Sequence, residues 1–340
     1  MMHGSSEQLL EVRPEGGCAS DDVRRKTSAS IEVLSRIWRR VLNHPSLTAA
    51  DDFFDLGGNP SLAYKLFDQI AQMCGRELPS TVIYSAPTIA ALADVLDRPA
   101  PPPFPPLILL KPGTEQPPIF IAHGLGSGVM EFFELVKLMR TTRAIYGLQA
   151  KGGDGADPPL TRIEDMAQFH LDAIRKVQPH GPYALMGYSL GGVVAFEMAR
   201  RLAASGERIA LLTMIDSYLH TEPLAPRKRI HLAAAQMRYD VSDLMRSLAH
   251  RTVRVPLNRV RQRARFSDFL AWTRYRPSFY EGKINFIRAA SSHYPDPPAI
   301  WERFAAEFEV ETVPGDHHTV LSIHCPDLAL VLTRHLRSAF

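Results

Sequence analysis

The segment at residues 187–192, Gly-Tyr-Ser-Leu-Gly-Gly, constrains the fold more than any other part of this 340-residue chain. An apolar run at 183–186 precedes it and a helical pattern at 193–202 follows it, which predicts a strand, a sharp turn and a helix. A serine on such a turn has a strained backbone, and side chains at positions 187 and 191 would collide with the neighbouring strand or helix. The turn also lifts the hydroxyl to the positive end of the helix, where amides can hold an oxyanion. Ser189 is therefore the candidate nucleophile, and a plain Gly/Ser loop is the alternative.

A serine nucleophile needs a base to take its proton and an acid to orient that base. In open α/β hydrolases the order along the chain is Ser, then Asp or Glu, then His. Asp216 follows the apolar run 211–215, which predicts a buried parallel strand, so it lies at the edge where such sheets gather their chemistry. His317 lies in the turn 314–318 after another predicted strand. We assign Asp216 as the acid and His317 as the base.

Both assignments have rivals in the sequence. Asp296 follows a predicted strand at 284–287 and would suit a hydrolase that carries its acid one strand later. His318 competes with its neighbour for the role of base. Asp316 is either part of the site or a turn former, since Asp is common in turns for its local hydrogen bonds.

Two backbone amides are the predicted oxyanion donors. One is the amide of Leu190, the residue after the nucleophile. The other comes from the loop 123–126, His-Gly-Leu-Gly, which follows the predicted strand 119–122. Within that loop we expect Leu125 to be the donor.

The composition is that of an ordinary soluble protein, with 45% hydrophobic residues, 22% charged residues and a net charge of +3. The three cysteines, Cys18, Cys74 and Cys325, lack metal-ligand spacing, so we expect free thiols in a reducing compartment and no metal site. No apolar leader begins the chain and no apolar run approaches membrane-spanning length. The expected location is the cytoplasm, away from any membrane.

Patterning divides the chain into segments. Residues 1–28 are polar and mixed in charge, which predicts a disordered segment. Apolar residues at helical spacing within 29–97 predict a small bundle of three or four helices. Clustered prolines at 98–106 predict a semi-rigid linker. Within 107–340, apolar runs alternate with amphipathic helices, which predicts an α/β domain with a mostly parallel sheet and helices on both faces.

The second domain resembles the thioesterase domains that release products from nonribosomal peptide and polyketide synthases. Five segments fall in family order: 163–167, 178–183, 187–192, 214–217 and 315–317. The resemblance spans nearly the whole domain and implies an α/β-hydrolase fold with a helical lid at about 220–280. It also implies an acyl-enzyme mechanism on phosphopantetheine thioesters, ending in hydrolysis or macrocyclisation. It favours Asp216 over Asp296, because that family places its acid after the strand that follows the elbow.

The first domain resembles a peptidyl or acyl carrier domain. The segments that carry the resemblance are 51–58, 78–80 and 86–92. Carrier domains hold 4'-phosphopantetheine on a serine, and a carrier followed by a thioesterase is the usual end of a synthase assembly line. The resemblance therefore implies phosphopantetheine as the cofactor.

One departure from the carrier pattern concerns the modified serine. After the glycine pair the pattern has one residue, commonly His, Asp or Asn, then the serine and then Leu, whereas this chain has Asn59, Pro60 and Ser61. Proline has no hydroxyl to modify, and Ser61 is displaced by one residue, or about 100° around a helix. Ser61 is the candidate attachment residue. The alternative is a degenerate carrier that docks a partner, with Asn59 as N-cap and Pro60 at the first helical position.

The segment 227–265 is strongly basic, with eleven Lys or Arg against Asp240 and Asp243. The resemblance places it in the lid. Such clustering would attract the phosphates of a pantetheine arm or coenzyme A, or the acidic face of a carrier protein, and solvated helix faces are the alternative. Nucleic acid is not an expected partner, because no binding motif accompanies the charge.

Three functions fit the sequence. The first is a thioester hydrolase or cyclase that serves a synthase, with its acyl or peptidyl chain delivered in trans by a carrier domain or by coenzyme A. The second is a general carboxylesterase with a vestigial carrier domain. The third is a non-catalytic carrier-docking protein.

Overall fold

The structure is a computed structural model that describes residues 18–99, 104–126, 128–154, 157–220, 225–248, 257–293 and 297–340. Two compact units divide between Pro102 and Pro103, inside the segment 98–106. Each unit has its own buried core.

The first unit is a helical bundle, as predicted. Its helices are α1 (Cys18–Leu42), α2 (Pro60–Cys74), α3 (Val82–Ser85) and α4 (Ile89–Asp97). Trp38 from α1 meets Phe53 edge to face with ring centroids 5.4 Å apart, and both side chains are fully buried. A Cβ on Gly58 would lie 2.3 Å from the Phe53 ring, so this position accepts only glycine. The glycine pair before α2 thus belongs to the core of the bundle.

The start of α1 corrects the predicted disordered segment 1–28. The helix begins at Cys18, so 18–28 are helical, whereas 1–17 lie outside the described residues. The absence of an apolar period does not exclude a helix at 18–28. A helix that is packed from Leu34 onward can extend toward its N-terminus at little cost in free energy.

The second unit is built on a seven-stranded sheet with the order β1-β3-β2-β4-β5-β6-β7. The strands are β1 (Leu107–Lys111), β2 (Glu115–Ala122), β3 (Arg143–Leu148), β4 (Tyr183–Tyr188), β5 (Ile209–Ile215), β6 (Tyr280–Ala289) and β7 (Ala305–Val313). Only β1 runs antiparallel to its neighbour, and the other pairs are parallel. The predicted mostly parallel sheet is confirmed.

Helices cover both faces of this sheet, as predicted. The described helices are α5 (Phe133–Leu138), α6 (Ile163–Val177), α7 (Leu190–Ala204), α8 (Pro226–Leu248), α9 (Leu257–Arg274), α10 (Pro297–Trp301) and α11 (Cys325–Ala339). Alternate residues of each strand point to opposite faces, so Tyr183 and Leu185 of β4 pack with α6 and α7 while Ala184 and Met186 pack with α5 and α11.

The crossover from β5 to β6 contains α8 and α9, which we call the lid. The helices contact each other through Tyr239 of α8. Its ring lies 5.3 Å from that of Phe266, and the Arg263 guanidinium lies 5.5 Å from its centroid. The lid falls within the predicted segment 220–280, of which 221–224 and 249–256 lie outside the described residues.

Further observations concern membrane-spanning helices, metal sites and cysteines. None of the helices in the described part of the chain has the length and apolar composition to span a membrane. Within the described ranges, no group of three or more His, Cys, Asp or Glu side chains is arranged to hold a metal ion. Cys74 and Cys325 are free thiols, and burial raises the pKa of the Cys325 thiol to about 11.

Candidate active site

Ser189 is the single residue between β4 and α7. Its φ of 55° and ψ of −120° are strained for a residue with a side chain. A Cβ on Gly187 would lie 2.1 Å from the Gly191 carbonyl oxygen, and one on Gly191 would lie 2.0 Å from the Ala122 carbonyl oxygen. Strand, helix and neighbouring strand therefore converge closely enough that both positions need glycine, as the sequence predicts.

Asp216 lies directly after β5 and is fully buried. Its Oδ1 accepts a hydrogen bond from the Ala289 amide at 3.0 Å. Its Oδ2 accepts from the Ser292 hydroxyl at 3.2 Å and is 2.8 Å from Nδ1 of His317. These contacts hold the carboxylate in one orientation, with one oxygen facing the imidazole.

His317 lies in the turn after β7, and its ring contacts two tyrosines. The Tyr188 ring stacks on it with centroids 5.1 Å apart, and the Tyr218 ring lies at 5.4 Å. The Tyr188 hydroxyl also donates to the His317 carbonyl oxygen. Since Tyr188 directly precedes Ser189, the imidazole lies beside the elbow. With Nδ1 directed to Asp216, Nε2 is the candidate base.

The two rival residues that the structure describes, His318 and Asp316, make other contacts. His318 is exposed, and its amide donates to Oδ1 of Asp316 at 2.9 Å. The same oxygen accepts from the amide and the hydroxyl of Thr319. Hydrogen bonds from Thr319 hold the pKa of the Asp316 carboxyl below its usual value, as suits a turn former. Asp296 lies outside the described residues.

Sequence reasoning missed the supporting residues Ser292, Tyr188 and Tyr218. Ser292 reaches the acid from 76 positions away, and such a contact leaves no local signal. Tyr188 occupies the variable position of the motif at 187–192, where the sequence alone gives the aromatic ring no particular role.

Two carboxylates hold the loop 123–126, which we call the oxyanion loop. The Gly124 amide donates to Glu131 at 2.7 Å, and the Gly126 amide donates to Asp268 of the lid at 2.9 Å. The amide of Leu125, between them, donates to no other described residue. It is therefore available in the place that the sequence predicts.

The second predicted donor lies at the start of α7. Leu190 is the first residue of that helix, and its amide donates to no other described residue. A Cβ on Gly191 would lie 2.0 Å from the Ala122 carbonyl oxygen and 2.6 Å from that of His123, so the first turn of α7 abuts the beginning of the oxyanion loop. Helix and loop thus bring both candidate donors to one edge of the sheet.

Comparison with known proteins identifies this arrangement. A family model described as thioesterase domain matches residues 117–333, which is more than half of the chain and includes Ser189, Asp216 and His317. The chain belongs to the thioesterase family. A second model, for the phosphopantetheine attachment site, matches residues 32–96. A carrier domain followed by a thioesterase domain is thus confirmed, and family membership makes the second unit a hydrolase domain.

Relatives of this thioesterase chain are nonribosomal peptide synthetases. Malpibaldin synthetase of Mortierella alpina is 31% identical over 308 residues, covering 84% of this chain and 5% of that protein. A dimodular nonribosomal peptide synthase of Bacillus subtilis strain 168 is 39% identical over 189 residues, covering 55% of this chain and 8% of that one. The chain therefore spans less than a tenth of the length of either synthetase.

A solved thioesterase structure has the same fold. The NocB thioesterase domain, in a covalent complex with a fluorophosphonate nocardicin G analog, superposes with a TM-score of 0.52 at 23% identity. The match covers 65% of this chain and 95% of that domain. It supports the α/β-hydrolase fold of the second unit.

In the carrier domain, the candidate serine lies one residue after the position that the family modifies. Pro60 is the first residue of α2, and the Asn59 side chain caps the helix by accepting from the Leu62 amide at 3.0 Å. Ser61 follows in the first turn and is exposed, where the positive helix end favours a phosphate group. An exposed hydroxyl at this place fits phosphopantetheine, so Ser61 is the residue that would hold it. When bound, the group supplies a thiol that carries an acyl chain as a thioester.

A cavity of about 30 Å³ adjoins the elbow of the thioesterase domain, which is room for about one water molecule. Leu190 and Gly191 line it on the elbow side, and His170 of α6 and Asp268 of α9 line it elsewhere. Both titratable side chains are buried, and Nδ1 of His170 has no hydrogen-bond partner among the described residues. Burial, and to a smaller extent nearby His123, lowers the pKa of His170 to about 3.

This lowered pKa predicts acid sensitivity. Below the ordinary value of 6.5 the unfolded chain binds a proton at His170 while the folded chain does not, so stability falls as pH falls until about pH 3. Between pH 7.5 and 5 the loss from this residue is about 2 kcal/mol of unfolding free energy. Urea unfolding at both values should show a loss smaller by that amount in His170→Gln. Equal losses in the two proteins would contradict the prediction.

Proposed function

We propose that the thioesterase domain releases an acyl or peptidyl chain from a phosphopantetheine thioester through a serine acyl-enzyme. One observation carries this proposal. His317 Nδ1 lies 2.8 Å from Asp216 Oδ2, and the same imidazole stacks on the residue before Ser189. These contacts support a nucleophile, a base and an acid that act together at the carboxyl edge of a parallel sheet, which is where such folds place their chemistry.

The first half of the reaction forms the acyl-enzyme. The Ser189 oxygen bonds to the thioester carbonyl carbon as its proton passes to Nε2 of His317, and Asp216 stabilises the imidazolium. Negative charge develops on the carbonyl oxygen, which accepts from the amides of Leu125 and Leu190. The carbon–sulfur bond then breaks, and the leaving thiolate takes the proton from His317.

The second half releases the product. Water, or an amine or hydroxyl of the acyl chain itself, bonds to the acyl carbon while its proton passes to His317. The bond between that carbon and the Ser189 oxygen then breaks, and His317 returns the proton to Ser189. Water gives hydrolysis and an internal nucleophile gives a ring. The lid governs this choice, because excluding water protects the ester until the internal nucleophile arrives.

The nature of the substrate follows from the surroundings of the domain. A carrier domain precedes it, and its relatives are synthetases that build peptides. The basic segment 227–265 is suited to the phosphates of pantetheine or coenzyme A and to the acidic face of a carrier. Since Ser61 is out of the family register, delivery in trans by a synthase carrier, or by coenzyme A, accounts best for the supply of acyl chains.

A pair of matched esters tests this proposal. We expect kcat/KM for a peptidyl pantetheine thioester to exceed that of the oxygen ester of the same peptide by on the order of tenfold, or about 1.4 kcal/mol in transition-state stabilisation. Both are measured on the full chain by release of the alcohol or thiol. A clear preference for the oxygen ester would indicate a general carboxylesterase instead. Failure of a fluorophosphonate to label Ser189 would indicate a non-catalytic docking protein.

A further inference from the structure

The oxyanion loop is attached to the lid by one helix face. Asp268 of α9 accepts the Gly126 amide at 2.9 Å, although 142 positions separate the two residues. One turn earlier on the same face, the aliphatic stem of Arg265 covers Gly126, since a Cβ there would lie 2.7 Å from Arg265 Cγ. Gly126 has a φ of 67°, so side chains at this position are opposed by both backbone strain and the lid.

The hydrogen bond between Gly126 and Asp268 is important because of where Gly126 lies in the oxyanion loop. It follows Leu125, whose amide is the proposed donor to the acyl oxygen, and the amide on the other side, Gly124, is held by Glu131. The peptide plane of a donor is fixed by its neighbours, and donor geometry decides how well an oxyanion is stabilised. Loss of either anchor would let the Leu125 amide turn away.

Burial of the Asp268 carboxyl group costs free energy of desolvation. This cost indicates that its hydrogen bond with Gly126 has a functional role. The side chain is 5% exposed, and burial raises the pKa of its carboxyl, with His123 and the Gly126 amide opposing the rise. A buried carboxyl group is tolerated where its hydrogen bonds compensate for the lost water. Among the described residues, the only hydrogen bond of the Asp268 side chain is the one to the oxyanion loop.

We propose that Asp268 is a positioning residue through which the lid helix α9 sets the oxyanion loop, so that the Leu125 amide is aimed at the acyl oxygen only while α9 is seated. This inference rests on the proposed function, in which Leu125 supplies an oxyanion donor. Seating of α9 then completes the site by orienting the Leu125 amide. It adds no reacting group. Release of α9 frees Gly126 and weakens catalysis before the substrate has left.

The rate of fluorophosphonate labelling tests the inference without a thioester. In that reaction the Ser189 oxygen bonds to phosphorus, fluoride leaves with the electron pair of its bond, and the hydroxyl proton passes to His317. The phosphoryl oxygen accepts from the oxyanion donors. In Asp268→Ala we expect the maximal rate to fall about 10- to 100-fold, since a donor misplaced by about 1 Å costs up to that factor, while half-saturation changes little. Asp268→Asn keeps a carbonyl acceptor and should recover most of the rate.

Matched controls separate this role from a merely structural one. Ser267→Ala alters a buried neighbour on the same helix whose side chain makes no hydrogen bond to another described residue, and this variant should label at the normal rate. Melting temperatures show whether each variant is folded. Equal losses in Ser267→Ala and Asp268→Ala, a loss confined to half-saturation, or no loss would overturn the inference. Normal labelling of the unaltered protein without any thioester turnover would refute the proposed function alone.

Discussion

Replacing Ser189 by alanine is expected to lower kcat for thioester cleavage by about 10⁴- to 10⁶-fold, which is the range for loss of a serine nucleophile that works with a histidine base. No acyl-enzyme should form, because alanine has no oxygen to take up the acyl group. KM should change little, since the substrate still meets the lid and the oxyanion donors. Steady-state turnover of a pantetheine thioester, with intact-mass analysis of the trapped enzyme, measures both effects.

Ser205→Ala is the matched control at the other end of α7. The Ser205 hydroxyl donates to the Leu202 carbonyl oxygen at the end of α7, at 2.8 Å. Its removal is the same chemical change far from the elbow, and full activity is expected. Thioester release by Ser189→Ala at a near-native rate would end the acyl-enzyme mechanism, whatever the rest of the site looks like.

Restoring the carrier motif should have the second large effect. In Pro60→Ser/Ser61→Leu, a hydroxyl returns to the first residue of α2 and the leucine of the family pattern follows it. We expect a broad-specificity phosphopantetheinyl transferase with coenzyme A to load this variant at least about 100-fold faster than the unaltered chain, because a turn of about 100° around the helix displaces the hydroxyl by several ångströms. Intact-mass analysis over time gives both rates.

Two variants make the loading experiment specific. Pro60→Ala/Ser61→Leu has the same change of helix start without a hydroxyl and should gain no mass. Ser61→Ala in the unaltered background shows how much of any slow loading belongs to Ser61. Equal loading of the unaltered chain and the restored motif would refute the argument from register and would make delivery from the chain's own carrier domain the simpler account.

Local sequence predicts the parts of the candidate site that depend on neighbouring residues. The turn that holds Ser189 could be predicted because the glycines at 187 and 191 are required by close approach of backbone, and that requirement is carried by a few adjacent positions. The position of Asp216 at the sheet edge could be predicted because a buried strand ends directly before it. The alternation of apolar residues likewise predicted a parallel sheet with two covered faces.

Contacts between distant segments could not be predicted in the same way. The choice between His317 and His318 depends on which ring turns toward the acid, and only the folded turn shows this. Asp268 is one carboxyl group among many in the sequence, and its link to Gly126 exists only once the lid crosses the sheet edge. The start of α1 was missed for a related reason, since helix propagation depends on packing further along the chain.

The lid occupies a connection between two strands that are already paired side by side. Its length and composition can therefore change between members of a family without disturbing the pairing of Thr213 with Asn285 or the seat of Asp216. Exchange of this one segment is a route to new products with the same catalytic residues. The exchange has one constraint, however. A transplanted helix must still provide a hydrogen-bond acceptor for the Gly126 amide. Without it, the hybrid enzyme will bind substrate but fail to convert it.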